Sequence, residues 1–225
     1  MSNSEYFKKS KESWKCAASF PIDKEKVYPE HGIVQEFDYF QDKLVLDYGS
    51  GSGADAFSYL KRGNRVICCD IVETNLDQAE DNLRAQGMSI SNVDFCHLQC
   101  SWEIPLDDNG VDVVNANGVL HHIYPHAYRV VKELYRVCKP GGLFYCMLYT
   151  EDLRKILDPV VKNFMQNNNI SEEEAFGWAT DGPGTPYSRY YTEEQGINFI
   201  EEAGFKVISY VVYNQRQFRT FKSIK

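Results

Sequence analysis

Leu46-Asp47-Tyr48-Gly49-Ser50-Gly51-Ser52-Gly53 is the stretch on which the reading of this chain turns. It closes an apolar run, KLVLDY at 43–48, and opens a segment of helical periodicity near 54–62. Glycine has no Cβ, so such a loop turns tightly and lets a ligand approach the backbone. A helix starting there offers unpaired N–H groups and the positive end of its dipole to ligand oxygens. The spacing is Gly-x-Gly-x-Gly, unlike the Gly-x-Gly-x-x-Gly of dinucleotide binders. Asp47 stands two residues before the first glycine, and an acid there suits a ligand that carries an ammonium. A second acid, Asp70, ends the next apolar run, RVICCD at 65–70, where a carboxylate can accept both hydroxyls of a ribose.

Outward from this loop the pattern repeats. Thr74 is placed to cap a helix over 75–87 that stops at Gly87. Further strands are expected at 93–98 (VDFCHL), 111–115 (VDVVN) and 143–149 (LFYCMLY), with a helix over 125–138 between the last two. Strands that are apolar on both faces and alternate with amphipathic helices make a parallel sheet covered by helices. Beyond 150 the alternation loosens. Residues 151–168 read as helical, Ser171–Glu174 as a capping box, and TDGPGTPYSRYY as a Gly/Pro/Tyr loop. Thr192–Gln195 is a second capping box, opening a helix to 203, and strands follow at 205–213 and 217–224. Upstream, helices are expected at 3–15 and 30–40, with a turn-rich segment between them. The chain therefore divides, as one domain 1–225, into an N-terminal helical cap (1–42), a ligand-binding core (43–149), an insertion or lid (150–191) and a final helix with its strands (192–225).

The 225 residues are 43% hydrophobic and 25% charged, enough to bury one sizeable core. A net charge of −8 makes nucleic acid an unlikely principal partner, because phosphate neutralisation dominates that kind of binding. The seven cysteines include no Cys-x-x-Cys pair and several lie in apolar runs, so they read as reduced, buried thiols. No apolar run is long enough to span a bilayer, and the first fifteen residues hold no signal-peptide core, which points to the cytoplasm and to no membrane partner.

The chain resembles the class I S-adenosylmethionine-dependent methyltransferases. LVLDYGSGSG resembles their first motif, VICCDIVETNLDQAEDNL their second-strand block, VDVVNANGVLHHI the fourth and VVKELYRVCKPGGLFYCMLY the fifth. The likeness runs over 43–149 and resumes at YSRYYTEEQGINFIEEAGFKVI. It implies a Rossmann-like, doubly wound α/β fold: a mostly parallel seven-stranded sheet with helices on both faces and an antiparallel last strand. It also implies the cofactor S-adenosyl-L-methionine, with S-adenosyl-L-homocysteine as product. By that resemblance Asp47 and the loop Gly49, Ser50, Gly51, Gly53 hold the methionine portion. Asp70 takes the ribose, Ile71 packs on adenine, and Asn117 and Gly118 line the sulfonium end. The family's usual acid after strand three is missing from HLQCSWEIPL, so Gln99, Cys100, Ser101 or Trp102 takes the adenine edge.

Methyl transfer needs a general base only where the acceptor must lose a proton. His121 and His122 have the right pKa class, although the LHHI pattern equally serves to shape a pocket floor. His122 and His126 are four apart, but Pro125 between them and the lack of a nearby acid argue against a metal, and none is expected. Tyr187, Arg189, Tyr190 and Tyr191 are the substrate-side candidates; Arg189 could clamp an anionic acceptor or simply pair with Glu193 or Glu194. Tyr6, Trp14, Tyr28 and His31 could close over the site from the N-terminal segment. A small-molecule acceptor is the leading expectation. The alternatives are a nucleic acid or protein acceptor, a NAD-linked oxidoreductase, and a catalytically silent binding scaffold. Asn-Ala-Asn-Gly at 115–118 lacks the Pro-Pro-aromatic pattern of enzymes that methylate base amines. Sequence leaves the oligomeric state open.

Overall fold

The computed structural model describes residues 3–15, 40–123, 126–185 and 187–225, with side chains from Lys8 onward. The expected helix over 30–40, together with Cys16, Tyr28, His31 and the side chain of Tyr6, lies outside the described residues.

The core strands are β1 (Leu44–Tyr48), β2 (Arg65–Asp70), β3 (Val93–His97), β4 (Val111–Asn117) and β5 (Cys138–Thr150). They are followed by the two-residue β6 (Tyr190–Tyr191), then β7 (Lys206–Tyr213) and β8 (Phe218–Ile224). The sheet runs β3-β2-β1-β4-β5-β8-β7, and β6 adds to β5 in parallel. Only β8 is antiparallel, to β5 on one side and β7 on the other. The expected seven strands are all present; the eighth, β6, is too short to leave a sequence signature.

Eight helices are described: α1 (Asn3–Trp14), α2 (Ala54–Lys61), α3 (Glu73–Ala85), α4 (Ala127–Val137), α5 (Glu151–Ile156), α6 (Asp158–Asn168), α7 (Glu172–Asp181) and α8 (Glu193–Glu201). Period-two alternation sends neighbouring strand residues to opposite faces. Val45, Val66 and Val113 meet Phe57, Tyr59, Leu76 and Leu83 of α2 and α3. Leu46, Ile67 and Val114 meet Val130, Leu134 and Ile200 of α4 and α8. Both faces are thus covered, which is why these strands read as continuous apolar runs. The insertion forms a smaller core of its own, with Leu153, Val161, Ala175 and Phe176 against Tyr149. Among the described residues no helix is long and apolar enough to cross a membrane.

Two local expectations are corrected and one is sharpened. Thr74 lies inside α3, whose N-cap is Val72; the first turn is held instead by the Asp70 carboxylate, which accepts from the Val72 amide at 2.8 Å. The helical stretch over 151–168 is present as two helices, because Pro159 lacks an N–H and fits only a new first turn, that of α6. And β5 starts at Cys138 rather than 143: Val111 pairs Cys138 and Val113 pairs Leu143, with the Lys139–Gly142 segment absorbed in a register shift.

The Thr192 cap is complete, its hydroxyl accepting from the Gln195 amide at 3.2 Å while the Gln195 side chain accepts from the Thr192 amide at 3.1 Å. Thr192→Ala is expected to cost about 1 kcal/mol and lower the thermal midpoint by roughly 2–4 °C, read by circular dichroism.

Candidate functional site

The strand order reverses between β1 and β4, and open α/β sheets bind ligands in the crevice at that point. Three chain segments meet there. The first is the glycine loop. Gly49 and Ser50 donate from their amides to the Cys69 carbonyl at 2.7 and 3.0 Å, lashing the loop to β2. Gly49 has φ +72°, and a Cβ on it would lie 2.5 Å from Val119. A Cβ on Gly51 would meet nothing within 4 Å, so here the backbone faces open space.

The second is the exit of β2. Asp70 is 6% exposed and anchors both neighbours: Oδ2 accepts from the Gly51 amide at 3.0 Å, Oδ1 from Val72. Burial raises its carboxyl pKa above the usual value, and those amides pull it back. The exit of β3 is tied to the same point, since the Leu98 amide donates to the Asp70 carbonyl at 2.8 Å. Ile71 is half-buried and Gln99 exposed. The Ser101 carbonyl accepts from the Tyr48 hydroxyl at 2.6 Å. Burial raises the Cys100 thiol pKa. Trp102 packs against His126 and under the Arg129 guanidinium, with centres 4.5 and 4.6 Å from its ring.

The third is the exit of β4. Asn115 Nδ2 donates to Asp47 Oδ1 at 2.8 Å, and Asn117 Nδ2 donates to Asp55 Oδ2 at 2.8 Å. Asp47 is 2% exposed and Asp55 6%. The Oδ1 atoms of both asparagines are buried without a hydrogen-bond partner. Two carboxylates and two spare amide oxygens thus converge beside the glycine loop. Two amide oxygens buried without a donor are costly unless a ligand donor meets them. An ammonium beside a sulfonium fits that demand, and a ribose fits Asp70. Gly118 follows with φ +75°, Met147 Cε lying 3.3 Å from where its Cβ would be.

The histidines sit on the 3-10 turn Leu120–His122. His121 is fully buried between Tyr149 and His122, ring centroids 3.8 and 4.1 Å away, and burial holds its pKa well below 6.5. His122 Nδ1 lies 2.8 Å from Ser188 Oγ and 3.8 Å from Asp181 Oδ2. Burial lowers its pKa too, and the Asp181 carboxylate opposes the shift. Asp181 also accepts from the Tyr149 hydroxyl and Ser188 Oγ, both at 3.3 Å, and from Thr180 Oγ1. Trp14 of α1 packs on His122 at 4.5 Å, and Ser13 Oγ donates to the Gly184 carbonyl at 3.1 Å. The N-terminal helix and the insertion therefore close on the same edge. Of the tyrosines, Tyr187 is half-buried, Tyr190 packs on Phe176, and Tyr191 is buried against Phe199 with the Arg189 guanidinium 5.2 Å from its ring. Among the described residues no group of three or more His, Cys, Asp or Glu could hold a metal ion.

Residues 46–146 match the family model described as "Methyltransferase domain". Over those residues the chain carries a methyltransferase domain, in keeping with its resemblance to the class I S-adenosylmethionine-dependent methyltransferases. It is 27% identical over 169 residues to the tRNA 5-carboxymethoxyuridine methyltransferase of Escherichia coli (strain K12), an alignment covering 74% of this chain and 64% of that protein. It is 28% identical over 175 residues to the ubiquinone/menaquinone biosynthesis C-methyltransferase UbiE of Brucella abortus (strain S19), covering 73% and 62%. The chain thus spans less than two thirds of the length of these curated relatives. A solved SAM-dependent methyltransferase from Methanosarcina mazei shares the fold at TM-score 0.68 and 20% identity, over 83% of this chain and 94% of that one.

The sequence assigns the glycine loop, Asp47, Asp70, Asn117 and Gly118 to one site, and the structure gathers all of them at one crevice. Sequence reading missed Asp55, Tyr149 and Ser188. Asp55 lies in the first turn of α2, where an acid is ordinarily a helix-dipole partner; its hydrogen bonds to 115 and 117 cross 60 and 62 residues. Tyr149 and Ser188 carried no signal beyond their place in an apolar run and a polar loop.

His121 and His122 both have folded pKa values below the unfolded 6.5. Below pH 6.5 the unfolded chain takes up protons that the folded chain refuses, so their contribution to stability is present above 6.5 and lost as pH falls. The thermal midpoint of the protein is expected to drop as pH is lowered from 7 through this range, and the drop to be smaller in His121→Leu. Calorimetric scans of the two proteins across pH check this.

Proposed function

We propose that this protein is an active S-adenosylmethionine-dependent methyltransferase whose acceptor is a small molecule. The observation that carries the reading is the pair of buried amide oxygens without a hydrogen-bond donor, on Asn115 and Asn117, beside a glycine loop open at Gly51 and anchored to Asp70. In this reading Asp70 accepts from the ribose hydroxyls, and Ile71 packs on adenine, with Gln99, Cys100, Ser101 and Trp102 around its rim. Gly49, Ser50, Gly51 and Gly53 surround the methionine carboxylate. Asn117 and Gly118 flank the reacting end, and Asp47 and Asp55 meet the ammonium. Bound S-adenosylmethionine supplies a methyl group already activated on a positive sulfur, displaced in line by the acceptor. The protein's task is then to exclude water and hold the acceptor in line, an effect worth up to about 7–11 kcal/mol.

His122 is the residue for handling an acceptor proton, with Asp181 stabilising the imidazolium that would form and Ser188 fixing the ring. His121, fully buried between Tyr149 and His122, shapes the floor. Tyr187 and Arg189 face the acceptor side, while Tyr190 and Tyr191 fix the strand that carries them. We read residues 1–225 as one domain with 43–149 as cofactor core and 150–191 as acceptor lid. The six described cysteines are all free, which fits the reducing cytoplasm.

A net charge of −8 and the closure of α1 and the insertion over the edge support a small acceptor. A nucleoside within tRNA is the second reading, favoured by the Escherichia coli relative. Isothermal titration with S-adenosylhomocysteine is expected to give saturable binding that NAD does not. Asp70→Ala should weaken it about tenfold or more, since hydrogen bonds to a charged group contribute about 1.5–3 kcal/mol and tenfold is 1.4 kcal/mol. Absence of binding by the wild-type protein would overturn the reading in favour of a silent scaffold. Transfer of labelled methyl to bulk tRNA, but not to a panel of phenols, acids and amines, would move the acceptor to the second reading.

A further inference from the structure

Cys69 and Cys96 are the last cysteines of two neighbouring parallel strands and are paired directly across them, Cys69 of β2 against Cys96 of β3. Directly paired residues point to the same face of a sheet, and both of these pack with the core that lies under α4 and α8. Cys69 is fully buried; Cys96 is half-buried. The two thiols interact with each other. Burial pushes the thiols of Cys68, Cys100, Cys138 and Cys146 up, whereas the Cys69 thiol beside it holds Cys96 down to about 7. Cys96 therefore has a large thiolate fraction at neutral pH, and the thiolate is the reactive form.

We infer that Cys96 is a peroxide-sensitive modification site, that Cys69 resolves it to a disulfide across β2 and β3, and that this bond loosens the cofactor crevice. The last part rests on the assignment of Asp70 to the cofactor made above. Adjacent strands lie about 4.7–4.9 Å apart, inside the Cα window of about 4.4–6.8 Å for a disulfide. The Cβ window, about 3.5–4.5 Å, is tighter, so the bond draws the strand ends together.

In the first step the Cys96 thiolate attacks hydrogen peroxide. An S–O bond forms, the O–O bond breaks, and the departing hydroxide becomes water on taking a proton. In the second step the Cys69 sulfur attacks the sulfenic sulfur of Cys96. The S–S bond forms, the S–O bond breaks, and hydroxide leaves as water with the Cys69 proton. Two thiols lose two electrons in all, and one peroxide is reduced to two waters.

The next residues along carry the consequence. Asp70 is paired with His97, whose ring nitrogen lies 3.2 Å from the Ile71 carbonyl, and the Leu98 amide holds the Asp70 carbonyl. A contraction one residue earlier therefore pulls on the carboxylate that fixes both Gly51 and Val72.

The test is exposure of the purified full chain to stoichiometric hydrogen peroxide, quenching with N-ethylmaleimide, and non-reducing peptide mass spectrometry. Titration with S-adenosylhomocysteine before and after treatment completes it. The expected result is a Cys69–Cys96 linked peptide, reversed by dithiothreitol, with affinity lowered severalfold. Cys96→Ser should give no link and keep its affinity through the same treatment, whereas Cys138→Ala, at the far end of β5, should form the link as the wild type does. Cys96 recovered as the maleimide adduct, or as sulfinic acid beside a reduced Cys69, would overturn the pair. A linked peptide with unchanged affinity would overturn its coupling to the crevice. The linked peptide is read without ligand, so failure of the untreated protein to bind S-adenosylhomocysteine would sink the cofactor assignment and leave the pair to be decided separately.

Discussion

The carboxylate of Asp70 holds the crevice together. One oxygen takes the amide of Gly51 and the other the amide of Val72, so a single side chain fixes the glycine loop before α2 and the first turn of α3. A buried carboxylate with no such partners would be forced toward its neutral form. Here the desolvation cost is offset by backbone amides, two of them belonging to the elements that must be aligned. The same residue's carbonyl holds the exit of β3 through Leu98. Three loops from three strands thus refer to one point, and the ligand-facing geometry follows from it.

That dependence explains what was legible in the sequence. A glycine run after an apolar strand and an acid at the end of the next are local signals, because each residue's role is set by the element it terminates. The parallel sheet was legible for the same reason: strands covered on both faces leave continuous apolar runs such as VICC and VDVV. The Asp47–Asn115–Asp55–Asn117 arrangement was not, because it forms only when β1, α2 and β4 are brought side by side. Asp55 alone reads as an ordinary helix-start acid. Thr74 gave a false cap because the true N-terminal ligand of α3 is Asp70, whose backbone still belongs to the strand.

The cluster around Asp181 was the least legible. Its residues come from the turn after β4, the end of β5, the end of α7 and the loop before β6, gathered at Asp181. Sequence named His122 and the tyrosines by type. It could not say that Tyr190 and Tyr191 are occupied with Phe176 and Phe199, nor that Ser188 lies against His122. Such roles depend on contacts across as many as 66 residues of chain, for which a single sequence carries no periodic signature.

The position of β8 bears on how the chain is made. It follows every other strand in chain order, yet it lies inside the sheet, bonded to β5 on one side and β7 on the other. During synthesis β5 therefore emerges long before its partner and presents an open row of amides and carbonyls, the kind of edge that invites pairing with another chain. Pairings this distant along the sequence also form slowly, because the loop must close before the contacts reward it. The first half of the sheet can assemble on the ribosome; the half beside the insertion must wait for residues 218–224. A nascent chain stalled short of them would be a substrate for chaperones.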